Sequence, residues 1–316
     1  MGTQNPPNVR YTHRTEHRQF VAAPARAVYD LLADVTVWPA VFGPCVYAHR
    51  LSSTSQEERV EIWASVNGSV TSWVSRRWFD PHGLRLRFAR EVSRPPIDAM
   101  DGEWQIDELP GRGCEVILRH GFEAAADSVE WITSALDRNS AEELAALTQV
   151  AECGHPVEDV LFSFTDTRVT AGAATDAYGF VARAGDWASR LPHVRAVRMT
   201  EPSPGVQDLE METVTDDGST HSTRSLRVCA PPGWIAYKQL QTPRLLLGHS
   251  GLWTFADGPG GAVLTARHTV LLDPAAVHDV LGPGQSIADA RAYVRRALGR
   301  NSSVTMGYAA DAAATV

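Results

Sequence analysis

Between Thr71 and Trp78 the chain reads TSWVSRRW, which sets two tryptophans and two adjacent arginines in a segment with the alternation of a β-strand. Successive side chains of a strand point to opposite faces, so Thr71, Trp73, Ser75 and Arg77 share one face and Ser72, Val74, Arg76 and Trp78 the other. If the first face looks inward, Arg77 carries a charge into an apolar interior. That is costly unless the guanidinium is paired, hydrated or facing a ligand. An acid at the sheet end, Glu61 or Glu103, is the plain structural alternative. His120 shares a strand face with Val116, Leu118 and Phe122. A histidine there is either a hydrogen-bonded core residue or, titrating near neutrality, a proton shuttle. Asn139 follows Leu136 on the helix face expected to look into the sheet, where it orients His120 or satisfies backbone groups.

The same residue types return about 150 positions later. VYDLLADVTVWP (28–39) matches AYGFVARAGDWA (177–188), SVTSWVSRR (69–77) matches STHSTRSLR (219–227), and ILRHGF (117–122) matches TARHTV (265–270). These put Ser75 opposite Ser225, Arg77 opposite Arg227 and His120 opposite His268; Trp104 meets Trp253, and on the closing helix, at an offset of 162, Asn139 meets Asn301. A near-constant offset across a whole half means two copies of one fold. They are expected as domains 1–154 and 155–316. The copies differ: Trp73 is replaced by Thr223, and Thr71 by His221. His221, Ser225, Arg227 and Cys229 therefore share one face of a second candidate pocket, to which Trp253 and His268 also belong.

These side chains need elements to hold them. Tyr11 to Val21 reads as a first strand, and 23–42 as a helix with Pro24 near its first turn and Pro39 as a breaker. Strands VEIWASV, TSWVSRRWF, LRLRFARE, GEWQIDEL and CEVILRHGFE follow, joined by turn sequences NG, DPHG and PGRG. After Asp127, spaced from Glu130 as in a capping box, comes a long helix with Trp131, Ile132, Ala135 and Leu136 on one side. The second copy repeats that stripe as Tyr293, Val294, Ala297 and Leu298. The class is α+β: in each copy an antiparallel sheet must curl around the final helix to bury its apolar face, and a cavity opens between them.

Composition narrows the function. The chain has 316 residues and a net charge of −8, which argues against general nucleic-acid binding. No stretch is apolar enough to span a membrane and the first residues carry no signal pattern, so a cytoplasmic protein is expected. The four cysteines form no CxxC pair, GHSG falls short of G-x-S-x-G, and HRTEH places its histidines on a strand rather than a helix. Neither a metal nor a cofactor is expected.

The order of elements, together with WPAVF (38–42), WVSRR (73–77), MDGEW (100–104) and NSAEELAAL after the long helix, resembles the aromatase/cyclases of bacterial type II polyketide synthases, in their di-domain form. The resemblance covers nearly the whole chain. It implies two tandem helix-grip domains of the START-like superfamily, and a substrate that is a linear poly-β-ketone borne by an acyl carrier protein. Di-domain members of the family usually take chains already reduced by a ketoreductase and join C7 to C12 by aldol condensation, then dehydrate the ring. On that reading Arg77 stabilises the developing oxyanion, Ser75 orients a carbonyl and His120 moves protons. Trp38, Phe42, Trp73, Met100 and Trp104 form flat walls that bend the chain, with Asn139 beside them. Single-domain members carry a tyrosine where this chain has Cys45, so that residue's role does not transfer. A non-catalytic carrier of a hydrophobic polyketide is the rival reading, and the basic run 291–300 is a candidate docking face for the acidic carrier protein.

Overall fold

The computed structural model describes residues 11–66, 68–214, 218 and 220–315; Asn67 of the first turn signal and Ser219 of the repeat lie outside them. In chain order the elements are β1 (His13–Val21), α1 (Ala25–Ala33), α2 (Trp38–Val41), β2 (Cys45–Ser53), β3 (Glu57–Val66), β4 (Ser69–Asp80), β5 (Arg85–Arg90), β6 (Ile97–Leu109), β7 (Gly113–Ala124) and α3 (Val129–Ala151). The second series runs α4 (Val157–Val160), β8 (Leu161–Thr170), α5 (Ala174–Ala182), α6 (Trp187–Arg190), β9 (Val194–Ser203), β10 (Val206–Val214), β11 (Thr220–Ala230), β12 (Trp234–Gln241), β13 (Leu246–Gly258), β14 (Gly261–Leu272), α7 (Val277–Leu281) and α8 (Ile287–Ala314).

Each series builds one seven-stranded antiparallel sheet with the first strand beside the last: β1-β7-β6-β5-β4-β3-β2 and β8-β14-β13-β12-β11-β10-β9. The chain contains two tandem helix-grip units. Among the described residues, one unit by contact comprises 11–36, Phe42–Pro44 and Ala48–Glu152, and the other Val37–Val41, Cys45–Tyr47 and 153–315.

The sequence pattern explains most of this. β1 alternates half-buried His13, Thr15, His17 and Gln19 with exposed Arg14, Glu16, Arg18 and Phe20. Such alternation is what a sheet with one packed face requires. Pro24 precedes α1, whose Val28, Leu31 and Leu32 are buried at helical spacing. β2 was not foreseen. Three helix expectations need correction. The helix expected over 23–42 is two, α1 and α2, and Pro39 lies in the first turn of the second rather than ending a helix. No side chain caps the start of α3, whose N-cap is Ser128; a capping box is formed instead by Ser286 and Asp289 at α8. Trp131 and Tyr293 are exposed, and the buried side of α3 is Ile132, Ser140, Leu144, Leu147 and Val150. The face that packs on the sheet is thus rotated toward the later residues of the helix. In the second unit a large core joins α5, α8 and the sheet through Tyr178, Phe180, Trp253, Phe255, Met306 and Ala309. Each large side chain so buried contributes roughly 1.5–3 kcal/mol.

Candidate active site

Register places the side chains of the helix-facing side of each sheet. In the first unit Ser75 pairs with Val60 and Arg90, Arg77 with Glu58 and Phe88, Phe88 with Gly102, and Gly102 with His120. Directly opposed residues of an antiparallel pair point the same way. Trp73, Ser75, Arg77, Phe88, Arg90 and His120 therefore share the inner face of the sheet, across from α3.

Arg77 is 1% exposed, and its charge is met by the protein itself. Nη1 donates to the Glu58 carboxylate and, at 3.4 Å, to the Ala33 carbonyl; Nη2 donates to the Leu32 carbonyl. The carbonyls at the end of a helix lack intrahelical donors and sit at the negative end of its dipole, so a buried guanidinium satisfies them. Glu58 also accepts from Arg50 Nε at 2.7 Å. The expectation of a transient anionic partner is corrected here: Arg77 has a permanent one, and it is Glu58 rather than Glu61 or Glu103. Burial still lowers the guanidinium to about 10, with Glu58 opposing the shift. Arg77 latches the end of α1 onto the sheet.

Arg90, two residues beyond Phe88 on β5, is different. It stacks on Trp73, its Cζ 4.3 Å from the ring centroid, and has no acid beside it among the described residues. Its buried Nε lacks a hydrogen-bond partner. Burial alone lowers it to about 10. A guanidinium kept dry without a carboxylate is a ready donor for an oxyanion.

His120 lies against Phe88, ring centroids 5.6 Å apart. Its Nδ1 is buried without a partner. Burial, then His17 and Arg90, push its pKa down to about 3, so the ring is neutral near pH 7 and can accept or donate a proton. Glu143 sits on α3 between Ser140 and Leu147, in the stripe that faces the sheet, yet stays half-buried. Burial raises it to about 7, with Glu142 adding to the shift. No ion pair or hydrogen bond holds its carboxyl among the described residues. Such a carboxyl is poised to gain and lose a proton at neutrality.

Of the other expected residues, Ser75 is buried on the same face, and Trp73 and Asn139 are half-buried. Phe42, Met100 and Trp104 are buried, Met100 in a small cluster with Phe122 and Ile132. They are core rather than open wall. Trp38 begins α2, whose residues group by contact with the second unit, and is not among the residues of this face.

The second unit repeats the latch with different chemistry. Arg227 Nη2 donates to Val181 O at 2.7 Å, at the end of α5, and Nη1 to Gln207 Oε1 at 2.7 Å. Gln207 Nε2 in turn donates to Ala182 O at 3.0 Å. The amide oxygen thus takes the place of the Glu58 carboxylate, and the amide N–H takes over one of the two helix-end carbonyls that Arg77 itself serves in the first unit. Ser225 is half-buried and Trp253 is core. His221 is exposed on β11 and is not gathered with them, a correction to the expected second pocket. Alternation put it on the right face, but it stands next to the strand's first residue, beyond the reach of the packed interior. His268 is buried and joins two residues that were not anticipated, Tyr237 and His249.

Arg90, Glu143, Tyr237 and His249 were legible in principle. Arg90 is in alternation with Leu86 and Phe88, Glu143 is at helical spacing from Leu136, Ser140 and Leu147, and Tyr237 and His249 occupy the offsets of Phe88 and Met100. Two expected docking arginines are engaged within the unit: Arg291 donates to Asp159 O at 2.9 Å and stacks on Phe162, and Arg295 pairs with Asp166 and stacks on Phe164. No cluster suited to a metal occurs among the described residues.

A family model for polyketide cyclase / dehydrase and lipid transport matches residues 21–147. The granaticin polyketide synthase bifunctional cyclase/dehydratase of Streptomyces violaceoruber is 53% identical over 305 residues, covering 95% of this chain and 94% of the relative. The actinorhodin polyketide synthase bifunctional cyclase/dehydratase of Streptomyces coelicolor is 48% identical over 313 residues, covering 95% and 97%. Among solved structures, the di-domain ARO/CYC BexL from the BE-7585A biosynthetic pathway superposes with a TM-score of 0.83 at 43% identity, covering 96% of this chain and 99% of that one.

Proposed function

Because this chain belongs to the family of polyketide synthase bifunctional cyclase/dehydratases, we propose that its first unit folds a carrier-borne, ketoreduced poly-β-ketone, closes the first ring between C7 and C12 by aldol condensation and prepares it for loss of water. The observation that carries this reading is the set Arg90, His120 and Glu143. Three ionisable groups face the interior between sheet and helix, with no counter-charge on Arg90 or Glu143 among the described residues.

The chemistry follows from their states. A base removes a proton from a methylene between two carbonyls; Glu143, partly ionised at neutrality, and neutral His120 both qualify. The electron pair moves onto the carbonyl oxygen as an enolate, and Arg90 supplies donors and charge to that oxygen. The enolate carbon attacks the distant carbonyl carbon, and the new alkoxide takes a proton from the acid form of the same groups. Trp73, held flat by the Arg90 stack, gives the folded chain a surface to lie on, which brings the reacting carbons together. Ser75, opposite Arg90, is placed to hold a carbonyl. Arg77 acts at one remove, by fixing α1 against the sheet. The C7–C12 register, the reduced substrate and the acyl carrier protein rest on the resemblance to di-domain members.

The test is product analysis of a minimal polyketide synthase with its ketoreductase, supplemented with the intact protein or with Arg90→Met. Loss of the first-ring aromatic product in the variant, with unchanged thermal unfolding, supports the reading. The aromatic product at full yield overturns it in favour of a carrier.

A further inference from the structure

Tyr237, His249 and His268 form a closed hydrogen-bonded triangle inside the second unit. His249 Nε2 and His268 Nδ1 are 3.0 Å apart, and Tyr237 Oη lies 3.4 Å from the first and 3.2 Å from the second. Both histidines are buried, at 2% and 4% exposure, and their rings stack with centroids 5.3 Å apart. The remaining nitrogens, His249 Nδ1 and His268 Nε2, are buried without hydrogen-bond partners. Leaving such a group unsatisfied costs about 1–3 kcal/mol, so two in one cluster call for a reason.

A neutral imidazole has one N–H and one lone pair. In the 3.0 Å contact one ring donates and the other accepts, so in either tautomer one outer nitrogen bears a proton and the other a lone pair. The pair can accept a proton at one end, pass one across the contact, and release one at the other, with no net charge. Burial lowers His249 well below the ordinary histidine range and His268 to about 4, so neither ring charges near neutrality. The groups facing His268 are Phe164, stacked at 4.9 Å, and beyond it the Asp166–Arg295 pair, which is internally balanced.

This arrangement is built, not incidental. Tyr237, Gly251 and His268 occupy one register row across β12, β13 and β14, as Phe88, Gly102 and His120 do in the first unit. A Cβ on Gly251 would overlap the Tyr237 ring, so only glycine lets the phenol lie over that strand and reach both histidines. Thr223, Ser225 and Gln239 of the same face remain half-buried, and Gln239 Oε1 also lacks a partner. The inner face is therefore not sealed.

We propose that the second unit is itself catalytic and dehydrates the β-hydroxy ketone made by ring closure, with the His249–His268 pair as a neutral proton relay and Tyr237 holding it in register. One outer imidazole nitrogen takes the proton from the carbon beside the carbonyl, and those electrons form the C=C bond. The C–O bond of the β-hydroxyl breaks, and the departing oxygen takes the proton offered at the other end and leaves as water. The relay resets when water carries a proton from the first outer nitrogen to the second while the central proton shifts back across the 3.0 Å contact, so both rings return to the starting tautomer uncharged. The balance is β-hydroxy ketone to enone plus water, with no oxidant or cofactor.

This inference rests on the ring-closing reading of the first unit, and the test separates the two. The intact protein carrying Tyr237→Phe and His249→Met acquires the residue types that Phe88 and Met100 supply at the matching places, so it is expected to fold. Supplied to the minimal synthase with ketoreductase, it should yield a closed first ring one water heavier than the aromatic product, which falls at least tenfold. Aromatic product at the normal rate overturns the proposal, and so does loss of ring closure with thermal unfolding unchanged. If the folded double variant instead behaves as expected while Arg90→Met still closes the ring, the second site stands and the first-unit mechanism fails.

Discussion

The two units bury an arginine at the same point of the same fold, yet satisfy it differently. Arg77 meets the carboxylate of Glu58, itself shared with Arg50, whereas Arg227 meets the neutral amide of Gln207. The contrast extends to the interior beyond the latch. In the first unit Arg90 and Glu143 keep charges or near-charges facing the space between sheet and helix; in the second Gln239 stands at the place of Arg90, and Tyr237, His249 and His268 stand at those of Phe88, Met100 and His120. One duplicated scaffold has thus been tuned once for stabilising developing charge and once for moving protons without it. The shared latch marks what the fold needs. The differences mark what each site does.

The sharpest way to break this comparison is to remove each latch. Arg77→Met leaves a buried carboxylate that has lost its innermost partner, at a cost of about 3–5 kcal/mol. Arg227→Met leaves a neutral amide, at about 1–3 kcal/mol. Thermal unfolding of both variants should rank them in that order; equal losses would show that Arg50 alone balances Glu58. Next in size is the activity of the inner face. Arg90→Met should lower the rate of first-ring formation about 10²–10³-fold, in line with removal of an oxyanion donor, while Gln239→Leu should leave ring closure intact.

Glu143 sharpens the comparison through pH. Its raised pKa means the folded state holds the proton more tightly than the unfolded chain. Stability from this group is complete below the ordinary carboxylate range and is lost as pH rises to about 7. Glu143→Gln should therefore gain on the parent by on the order of 2 kcal/mol near pH 8 and by little near pH 4. The same variant should flatten the rise of ring closure with pH. Smallest of all, Asp137→Asn, which loses the contact with His17 at 2.9 Å, and Asp166→Asn, which loses Arg295, should each cost about 0–1 kcal/mol in unfolding, because these pairs are partly open to water.

The duplication, the succession of strands and the long closing helices were legible because they rest on local signals. Those signals are period-two alternation, helical spacing, proline and glycine punctuation and a constant offset between halves. The face of each strand followed from the same alternation, which put Trp73, Ser75 and Arg77 on one face and His120 with Val116, Leu118 and Phe122; the resemblance joined the two sets. The partners were not legible. Glu58 is 19 positions from Arg77 and its carboxyl reaches the guanidinium only through the β3–β4 register. Of the acids named from the sequence, Glu61 points to the other face of β3, and Glu103 points to the other face of β6, two strands from Arg77. His221 failed for a related reason: alternation fixes a face but not how far along the strand the interior extends.

The sequence by itself determined two copies of one α+β architecture and the set of side chains that look inward, since both follow from the geometry of single elements. Only the tertiary structure decided which inward groups meet and which stand alone. Arg77 and Arg227 are satisfied by helix ends and neighbours across the sheet, Arg90 and Glu143 have no counter-charge among the described residues, and three residues from three strands close into a hydrogen-bonded triangle. The physical reason is that charge state and hydrogen bonding depend on distances of about 3 Å between atoms far apart along the chain. Packing sets those distances, and no periodicity records them.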